Sequence, residues 1–397
     1  MAGPLDGIRI IDLSQMLSGP YASLQLSDQG ADVVKVEPPG MGDSIRASRM
    51  FTKDGISAFA ASINRGKRSI QVDLTTEAGV EVVTRLCADA DVFLQNFRPG
   101  VIERLGLDPA ALRAANPRLI TVSVSGYGLD GPLRDQPVFD PIIQALTGHV
   151  AVQVNPEIPI PDLIRNVVVD KCTASYVAQS ITAALFHRER TGAAQHIDLS
   201  MLDASLYFFW PDGMMAETFL DEGVTQTLTL AERYQLSQCA DGPIIMFAGT
   251  LKQRLGLFRA LGHPEWCDDE ELTQPSLSGD PEVLERFGRI TAEALVQMTM
   301  ADAEAALHAN DVPCARVVPV AEVAGHEQVV ANDSVAEYDD PLVGRVRQPQ
   351  PPARFAASMA EPGRGFPLPG DHTDEILAEL GYDSGAIAEL RGSGAVS

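Results

Sequence analysis

Residues Ile8 to Leu13 read IRIIDL; LSGP (Leu17–Pro20) then turns the chain, and YASLQLSDQG runs on to Gly30. A second apolar run, VVKVE (Val33–Glu37), follows. A short apolar strand, a turn of small residues, a helix-length segment closed by Gly and another apolar strand make a βαβ unit with parallel strands. The pattern continues. SIQVDL (Ser69–Leu74) alternates with period two, and TTEAGVEVVTRLCADA behind it is an amphipathic helix with acids near its start. DVFLQNF (Asp91–Phe97) and LITVSVSGYG (Leu119–Gly128) are further strands. The fold class is therefore α/β around a mostly parallel sheet, in which ligands bind beyond the carboxyl ends of the strands. Those ends carry the polar, Gly-rich pieces SGP, NFRPG and SGYG.

Beyond them, Asp140 to Gly148 reads as a helix and leads into the Pro-rich NPEIPIPDL. In VVVDKCTASYVAQSITAALFHRERTG, Tyr176, Val177, Ile181, Ala184, Leu185 and Arg188 recur at helical spacing, and Gly192 ends the helix. QHIDLSML is one more strand. SLYFFWPDGMMAETFLD reads as a long apolar helix, buried or at an interface and interrupted at Pro211. The stretch 225–330 changes character and is the expected second domain. Residues 340 to 370 are rich in Pro and Gly and suggest an extended return over the surface. GDHTDEILAELG is a final helix.

Composition narrows the function. The 397 residues hold 54 Asp plus Glu against 30 Lys plus Arg, a formal charge of -24. Such a chain is repelled by phosphate backbones and anionic lipid, so nucleic acid and membrane surfaces are not expected partners. No apolar run approaches the roughly 18 residues of a membrane span. The N-terminus shows no signal-peptide pattern. Five scattered cysteines, none in CxxC spacing, argue against a disulfide framework or zinc site and fit a reducing, cytoplasmic setting. The seven histidines form no HxxxH or HxH, so no metal is expected. There is no GxGxxG after the first strand, no GxxxxGK[ST] and no GxSxG, which removes the fingerprints of nicotinamide, nucleoside triphosphate and serine-hydrolase sites.

Three features remain. Asp170 follows three valines, just before a helix expected to begin near Thr173. A carboxylate there feels the positive helix end, and both a capping acid and a nucleophile fit. NRGKRS (Asn64–Ser69) packs Arg65, Lys67 and Arg68 into four residues, which suits a solvated turn or a phosphate clamp. NFRPGVIERLG sets Asn96 and Phe97 at a strand end, with Arg98 and Arg104 following. That suits an adenine ring with its phosphates, or a plain loop-to-helix joint.

Taken in order, PLDGIRIIDLS, LSGPYASLQLSDQGADVVKVEPPGMGD, NRGKRSIQVDL, DVFLQNFRPGVIERLGL, NPRLITVSVSGYG, VVVDKCTASYVAQSITAALFHRERTGAAQHIDLSMLDA and PLPGDHTDEIL closely resemble the class III CoA-transferases, the carnitine- and bile-acid-CoA transferase family that includes formyl-CoA transferase. The resemblance is weakest from about 225 to 360. It implies a Rossmann-like large domain of residues 1–220 completed by 335–397, a smaller inserted α+β domain at 225–330, and two chains interlocked as a homodimer. It implies an enzyme that moves CoA from an acyl-CoA to a carboxylic acid, with Asp170 at the nucleophile's position. An aspartyl mixed anhydride and an aspartyl-CoA thioester are then the intermediates, and coenzyme A takes part as acyl-CoA substrate without metal or ATP.

By position the resemblance assigns CoA contacts to Asn96, Phe97 and Arg104, and an adenine-lining backbone to Val72, Asp73, Leu74 and Thr75. It makes Arg65, Lys67 and Arg68 phosphate partners. Backbone N–H groups near residues 16 to 20, Met16 and Leu17 among them, and at the Asp170 helix start become oxyanion donors. Dicarboxylic donors such as succinyl-CoA are the default. There are departures. Met16, Leu17 and Ser18 stand where some transferases carry Gln in the first loop. Pro38 stands where some carry Arg, leaving Arg46 or Arg49 to serve. No Gly-rich lid is seen near 240 to 265, so formyl-CoA and oxalate are not expected. Val169 stands where Gly is common, and Lys171 follows Asp170. The alternative is an isomerase like α-methylacyl-CoA racemase, which needs a second acid/base on the opposite face. Racemases take it from a Gly-His-Asp block; here that block is Val138, Phe139, Asp140, where Phe139 cannot carry a proton and Asp140 could substitute, though the pattern disfavours it.

Overall fold

A computed structural model of the protein describes residues 3–153, 160–224, 229–230, 234–273, 281–358 and 365–397. Most of the Pro-rich stretch after Gly148 lies outside the described residues. The chain divides into two compact units, one of Met1–Pro211 with Val330–Ser397 and one of Asp212–Val329.

The first unit is built on six parallel strands: β1 Arg9–Asp12, β2 Asp32–Glu37, β3 Arg68–Gln71, β4 Val92–Gln95, β5 Ile120–Ser125 and β6 His196–Ser200. Their spatial order is β3-β2-β1-β4-β5-β6. The chain winds outward from β1 to β3, then crosses back to β4 on the other side of β1. This is the doubly wound order, and its reversal opens a crevice at the carboxyl ends of β1 and β4. Both sheet faces are covered, so the strands are apolar on both sides. Ile11, Val34, Ile70 and Phe93 enter one core with Val82, Val83 and Leu86 of helix α2 (Glu77–Ala88). Ile10, Val33, Val92 and Leu94 enter the other.

That second core joins α1 (Ser18–Ser27) to a later helix, labelled α4 below, through Ala22 and Leu26 against Ala174, Val177, Ala178 and Ile181. Between β5 and β6 lie α3 (Asp140–Leu146) and α4 (Val168–Thr191). Gly192 closes α4 at φ 78, a left-handed cap that suits Gly. Helix α1 starts at Ser18, so the expected turn SGP is its first turn. Helix α5 (Met201–Gly213) carries Pro211 inside it and is not interrupted there. Its Phe209 is buried, whereas Tyr207, Phe208 and Trp210 are exposed.

Residues expected as a plain extended return contain a β-hairpin, β10 (Val335–Asp340) with β11 (Gly344–Pro349), numbered after three strands of the second unit. The far segment then covers the outer edge of β3. The Ser69 N–H donates to His372 Nδ1 and the Gln71 N–H to Thr373 Oγ1, while Val396 bridges to Val72. Helix α6 (Thr373–Glu379) adds Ile376 and Leu377 to the core beneath.

The second unit has its own core. A three-stranded antiparallel sheet, β7 Ser237–Cys239, β8 Gly242–Met246 and β9 Cys314–Arg316, packs with helices around Ile244, Leu257, Leu295 and Leu307. Among the described residues no helix is long and apolar enough to cross a membrane.

One buried ion pair ties sheet to helix. Arg188 of α4 donates to Asp91 at 2.8 Å and to the Arg118 carbonyl at 2.9 Å. Removing one partner of a buried pair strands the other charge. Arg188→Leu should lower unfolding stability by about 3 kcal/mol in urea titration, and a loss under 1 kcal/mol would contradict this role.

Candidate active site

The crevice is built from the turn that leaves β1. Asp12, the last residue of β1, is fully buried and accepts from the Ser14 N–H at 2.9 Å and from the Ser14 and Ser23 hydroxyls. Lys35 of β2 donates to the Ser14 carbonyl at 2.8 Å and pairs with Asp43 at 2.9 Å. Asp43 also accepts the Met16 N–H at 3.0 Å. From β4, Asn96 closes on Gln15 in both directions, accepting its N–H and donating to its carbonyl at 2.8 Å each. Every residue from Ser14 to Met16 is thus gripped by a side chain of a neighbouring element. Met16 sits at φ 65, left-handed backbone that is uncommon for a non-Gly residue. Helix α1 starts directly after, with the Ser18 amide hydrogen-bonded to Asp170.

Asp170 lies inside the first turn of α4, which starts at Val168 rather than near Thr173. Its own N–H donates to Asp140 Oδ2 at 2.9 Å. Asp140 is buried, and its Oδ1 accepts from Gln144 Nε2 at 2.6 Å. Burial first, and the negative Asp140 second, push the Asp170 carboxyl up to about 7; the Ser18 amide works the other way. Cys172 is no rival nucleophile. Its thiol donates to the Val169 carbonyl, and burial pushes it up to about 11.

Asp170 opens into a cavity of about 310 Å³ that it shares with Gln15, Met16, Ser18, Asn96, Phe97, Arg98, Arg134, Phe139 and Met201. Of the residues singled out in sequence, the fold brings Met16, Asn96, Phe97 and Asp170 together here. Leu17 points away and is buried among Ile45, Ala60 and Ile63. Arg104 is exposed, and its guanidinium lies beside Gly100. Leu74 packs on the same core as Phe97. In the stretch Val72, Asp73, Leu74 and Thr75, the Val72, Asp73 and Thr75 N–H groups already bond Glu37, Ala395 and the Asp73 side chain.

The turn cations correct the expectation of a free phosphate clamp. Arg65 is buried against Asp28 at 2.6 Å, and Arg68 binds Asp32, Glu375 and Glu379. Lys67 is fully enclosed, bonded to the Pro20 carbonyl and Asn64. Burial pushes its ammonium down to about 7 while Asp12 pulls it up. Arg46 is likewise held, by Glu37 at 2.7 Å. The cations that do face the cavity are Arg98 and Arg134. Arg134 drew no attention in sequence, because it lies in a loop without periodicity. Its sign in a strongly acidic chain, shortly after a strand's carboxyl end, was the available signal.

The model of CoA-transferase family III matches residues 5–373. The succinyl-CoA:glutarate CoA-transferase of Mus musculus is 30% identical, covering 99% of this chain and 90% of that protein. The succinate–glutarate CoA-transferase of Agrobacterium fabrum is 33% identical over 95% of this chain and 96% of its own. Among solved structures, a CaiB/BaiF family protein from Brucella suis superposes with a TM-score of 0.80 at 31% identity, covering 96% of this chain and all of that one.

Two outcomes are expected at this site. Met16→Ile forces a β-branched residue into left-handed backbone and should cost about 1–3 kcal/mol in thermal or urea unfolding, whereas Met16→Gly should not. The folded pKa of Asp170, about 7, lies above its ordinary 3.8. Between those values the folded chain keeps a proton that the unfolded chain has lost, so the group favours folding at low pH and that advantage is gone once the pH passes 7. Asp170→Asn should therefore raise Tm at pH 8 and raise it less at pH 5. An equal gain at both would contradict the buried-charge reading.

Proposed function

The chain belongs to CoA-transferase family III, and from that premise we propose that it carries CoA from an acyl-CoA to a carboxylic acid through covalent intermediates on Asp170. The observation that carries this reading is a half-buried carboxylate on a helix's first turn, facing a cavity and bonded to the Ser18 amide. Its oxygen attacks the thioester carbonyl, the C–S bond breaks, and CoA thiolate leaves behind a mixed anhydride. The thiolate then attacks the Asp170 carbonyl carbon, freeing the donor acid and giving an aspartyl-CoA thioester. The acceptor carboxylate attacks that thioester and releases the thiolate. The thiolate attacks the acceptor's acyl carbon, and the new acyl-CoA departs from a restored Asp170. No proton is gained or lost over the cycle, and one thioester replaces another of similar energy.

The chain's contribution is placement and dipoles. The amides of Ser14, Gln15, Met16 and Asp170 are already hydrogen-bonded within the chain, which leaves the Ser18 amide beside Asp170 as the donor for the oxyanions. Asn96 and Phe97 remain our candidates for the CoA arm. Arg98, Arg104 and Arg134 replace the turn cations as phosphate partners: Arg98 and Arg104 have no ion pair among the described residues, and Arg134 has only a long, exposed one to Asp135 at 4.0 Å, so their guanidinium groups are available for bidentate contacts. A homodimer is part of the proposal. Exposed Phe186, Tyr207, Phe208 and Trp210 are apolar side chains that a second chain could cover. The cytoplasm is the proposed compartment, consistent with five free cysteines. The isomerase alternative is disfavoured because Asp140 spends one oxygen on the Asp170 amide and the other on Gln144.

Intact mass after incubation with acyl-CoA esters tests the reading. A gain equal to CoA less water, labile to hydroxylamine and absent from Asp170→Ala, is expected. Absence of any adduct across a broad ester panel, with deuterium appearing at the α-carbon instead, would move the assignment to the isomerase. The rate of adduct formation should rise through a pH near 7 as Asp170 ionises. Asp140→Asn should shift that profile to lower pH, since it removes the neighbouring negative charge.

A further inference from the structure

Helix α1 begins without a cap of its own. Leu17 stands at the capping position, where Ser, Thr, Asp or Asn would accept a first-turn N–H, and its side chain makes no such bond. Pro20 has no N–H to offer. Ser18 and Gly19 carry the N–H groups of that turn, and the acceptor for Ser18 is Asp170, from another helix. In the transfer cycle above, the oxygen bonded to Ser18 stays on Asp170 as the carbonyl of the anhydride and of the thioester. When CoA thiolate or the acceptor carboxylate attacks the Asp170 carbon, that oxygen takes the negative charge. A displacement of about 1 Å at such a donor costs much of its effect.

Two contacts fix where the turn lies. Gly19 packs directly on Ser14, and a Cβ at position 19 would overlap the Ser14 Cβ and Oγ. The Gly19 backbone is not left-handed, so lack of space alone excludes a side chain. Lys67 holds the other side. Its ammonium is shut off from water and has three oxygens for its three N–H groups: the Pro20 carbonyl at 2.7 Å, Asn64 Oδ1 at 3.0 Å and Asp12 Oδ2 at 3.5 Å. These belong to the first turn of α1, the last residue of the helix Ala58–Asn64 and the end of β1. Ser23, further along α1, donates to the same Asp12 oxygen and the same Pro20 carbonyl. A buried lysine is costly, and Lys67 does not line the cavity that Asp170 faces.

We propose that Gly19 and Lys67 are positioning residues, which set the first turn of α1 so that the Ser18 amide meets Asp170. Lys67 of the NRGKRS turn thus serves the reaction through its hold on Pro20 and not by meeting phosphate. The proposal rests on the transfer reading above and names residues that act through Ser18.

The Asp170 carboxyl is shifted by its own burial, by Asp140 and by Ser18. Lys67 is not among these, so a substitution at 19 or 67 that moves the titration acts through α1. The readout is the infrared carboxyl band that the wild type shows and Asp170→Asn lacks, followed against pH. Lys67→Met and Gly19→Ala should each raise its midpoint by about one unit, since the lost bond favours the charged form. Each should lower kcat about tenfold or more and leave KM for the acyl-CoA within about twofold. Lys67→Gln, shorter and neutral, is read the same way where Lys67→Met does not fold. Ser14→Gly removes the atoms in the way of a Cβ and keeps the backbone bonds of residue 14 to Asp12 and Lys35. Added to Gly19→Ala, it should return both readings to those of Ser14→Gly alone. Variants that melt lower yet leave the midpoint and kcat unmoved, or a Gly19→Ala effect that Ser14→Gly does not relieve, would overturn the proposal. The band needs no turnover. A shifted midpoint in a protein that forms no aspartyl-CoA supports the hold and defeats the transfer reading; an unmoved midpoint beside normal adduct formation in the wild type does the reverse.

Discussion

Asp43 and Lys35 form a salt bridge from which water is almost wholly excluded, and the working surface of the first unit hangs from it. Both partners also hold the same turn: Lys35 donates to the Ser14 carbonyl, and Asp43 accepts the Met16 amide as well as that of Ile45. A buried pair is a weak source of net stability, because desolvation offsets attraction. What it supplies here is position. Burial disfavours the Lys35 charge, yet Asp43, Asp12 and Glu37 around it hold its ammonium above the usual range. Burial works against Asp12 too, while Lys35 and Lys67 keep it ionised. The turn is therefore fastened to fixed charges and not to flexible side chains.

From that fastening the rest follows in sequence. A left-handed Met16 redirects the chain so that α1 begins at Ser18 with its amide toward Asp170. Asn96 locks the turn to the carboxyl end of β4. The site therefore sits at the reversal of strand order, where two loops diverge and leave space. Asp170 arrives from the other direction, on a helix whose first turn is tied down by Asp140 and Gln144. A carboxylate held with few water neighbours is a better nucleophile than a solvated one only if the geometry is already set. The grip on Ser14–Met16 and the tie on α4 supply the fixed geometry that the role proposed for Asp170 would need.

Much of this could be read in the chain beforehand. Apolar runs at Ile8, Val33, Asp91 and Leu119 announced the parallel sheet, since burial on both faces demands continuous apolar strands. Asp170, Asn96 and Phe97 stood out by chemistry and position, and the fold brings them to one cavity. The cations of NRGKRS misled because charge density says nothing about partners. Asp28 and Asp32 lie far upstream, and Glu375 and Glu379 some three hundred residues downstream. Arg134 went unseen for the converse reason, a lone cation in an aperiodic loop. Local pattern reports which residues are apolar together; it does not report which charges meet across the sheet.

The cover on β3 carries a consequence for how the chain is made. The outer backbone edge of that strand is closed by residues 372, 373 and 396, and the core beneath it is completed by Ile376 and Leu377. All of Asp212–Val329, a separate unit, is synthesised in between. While the ribosome works through it, β3 is a bare edge strand beside an unfinished core, able to pair with any extended segment nearby. Closing a sheet with contacts so distant along the chain is also slow. The nascent protein therefore passes through a long exposed interval, and its solubility then depends on how quickly the small unit folds out of the way.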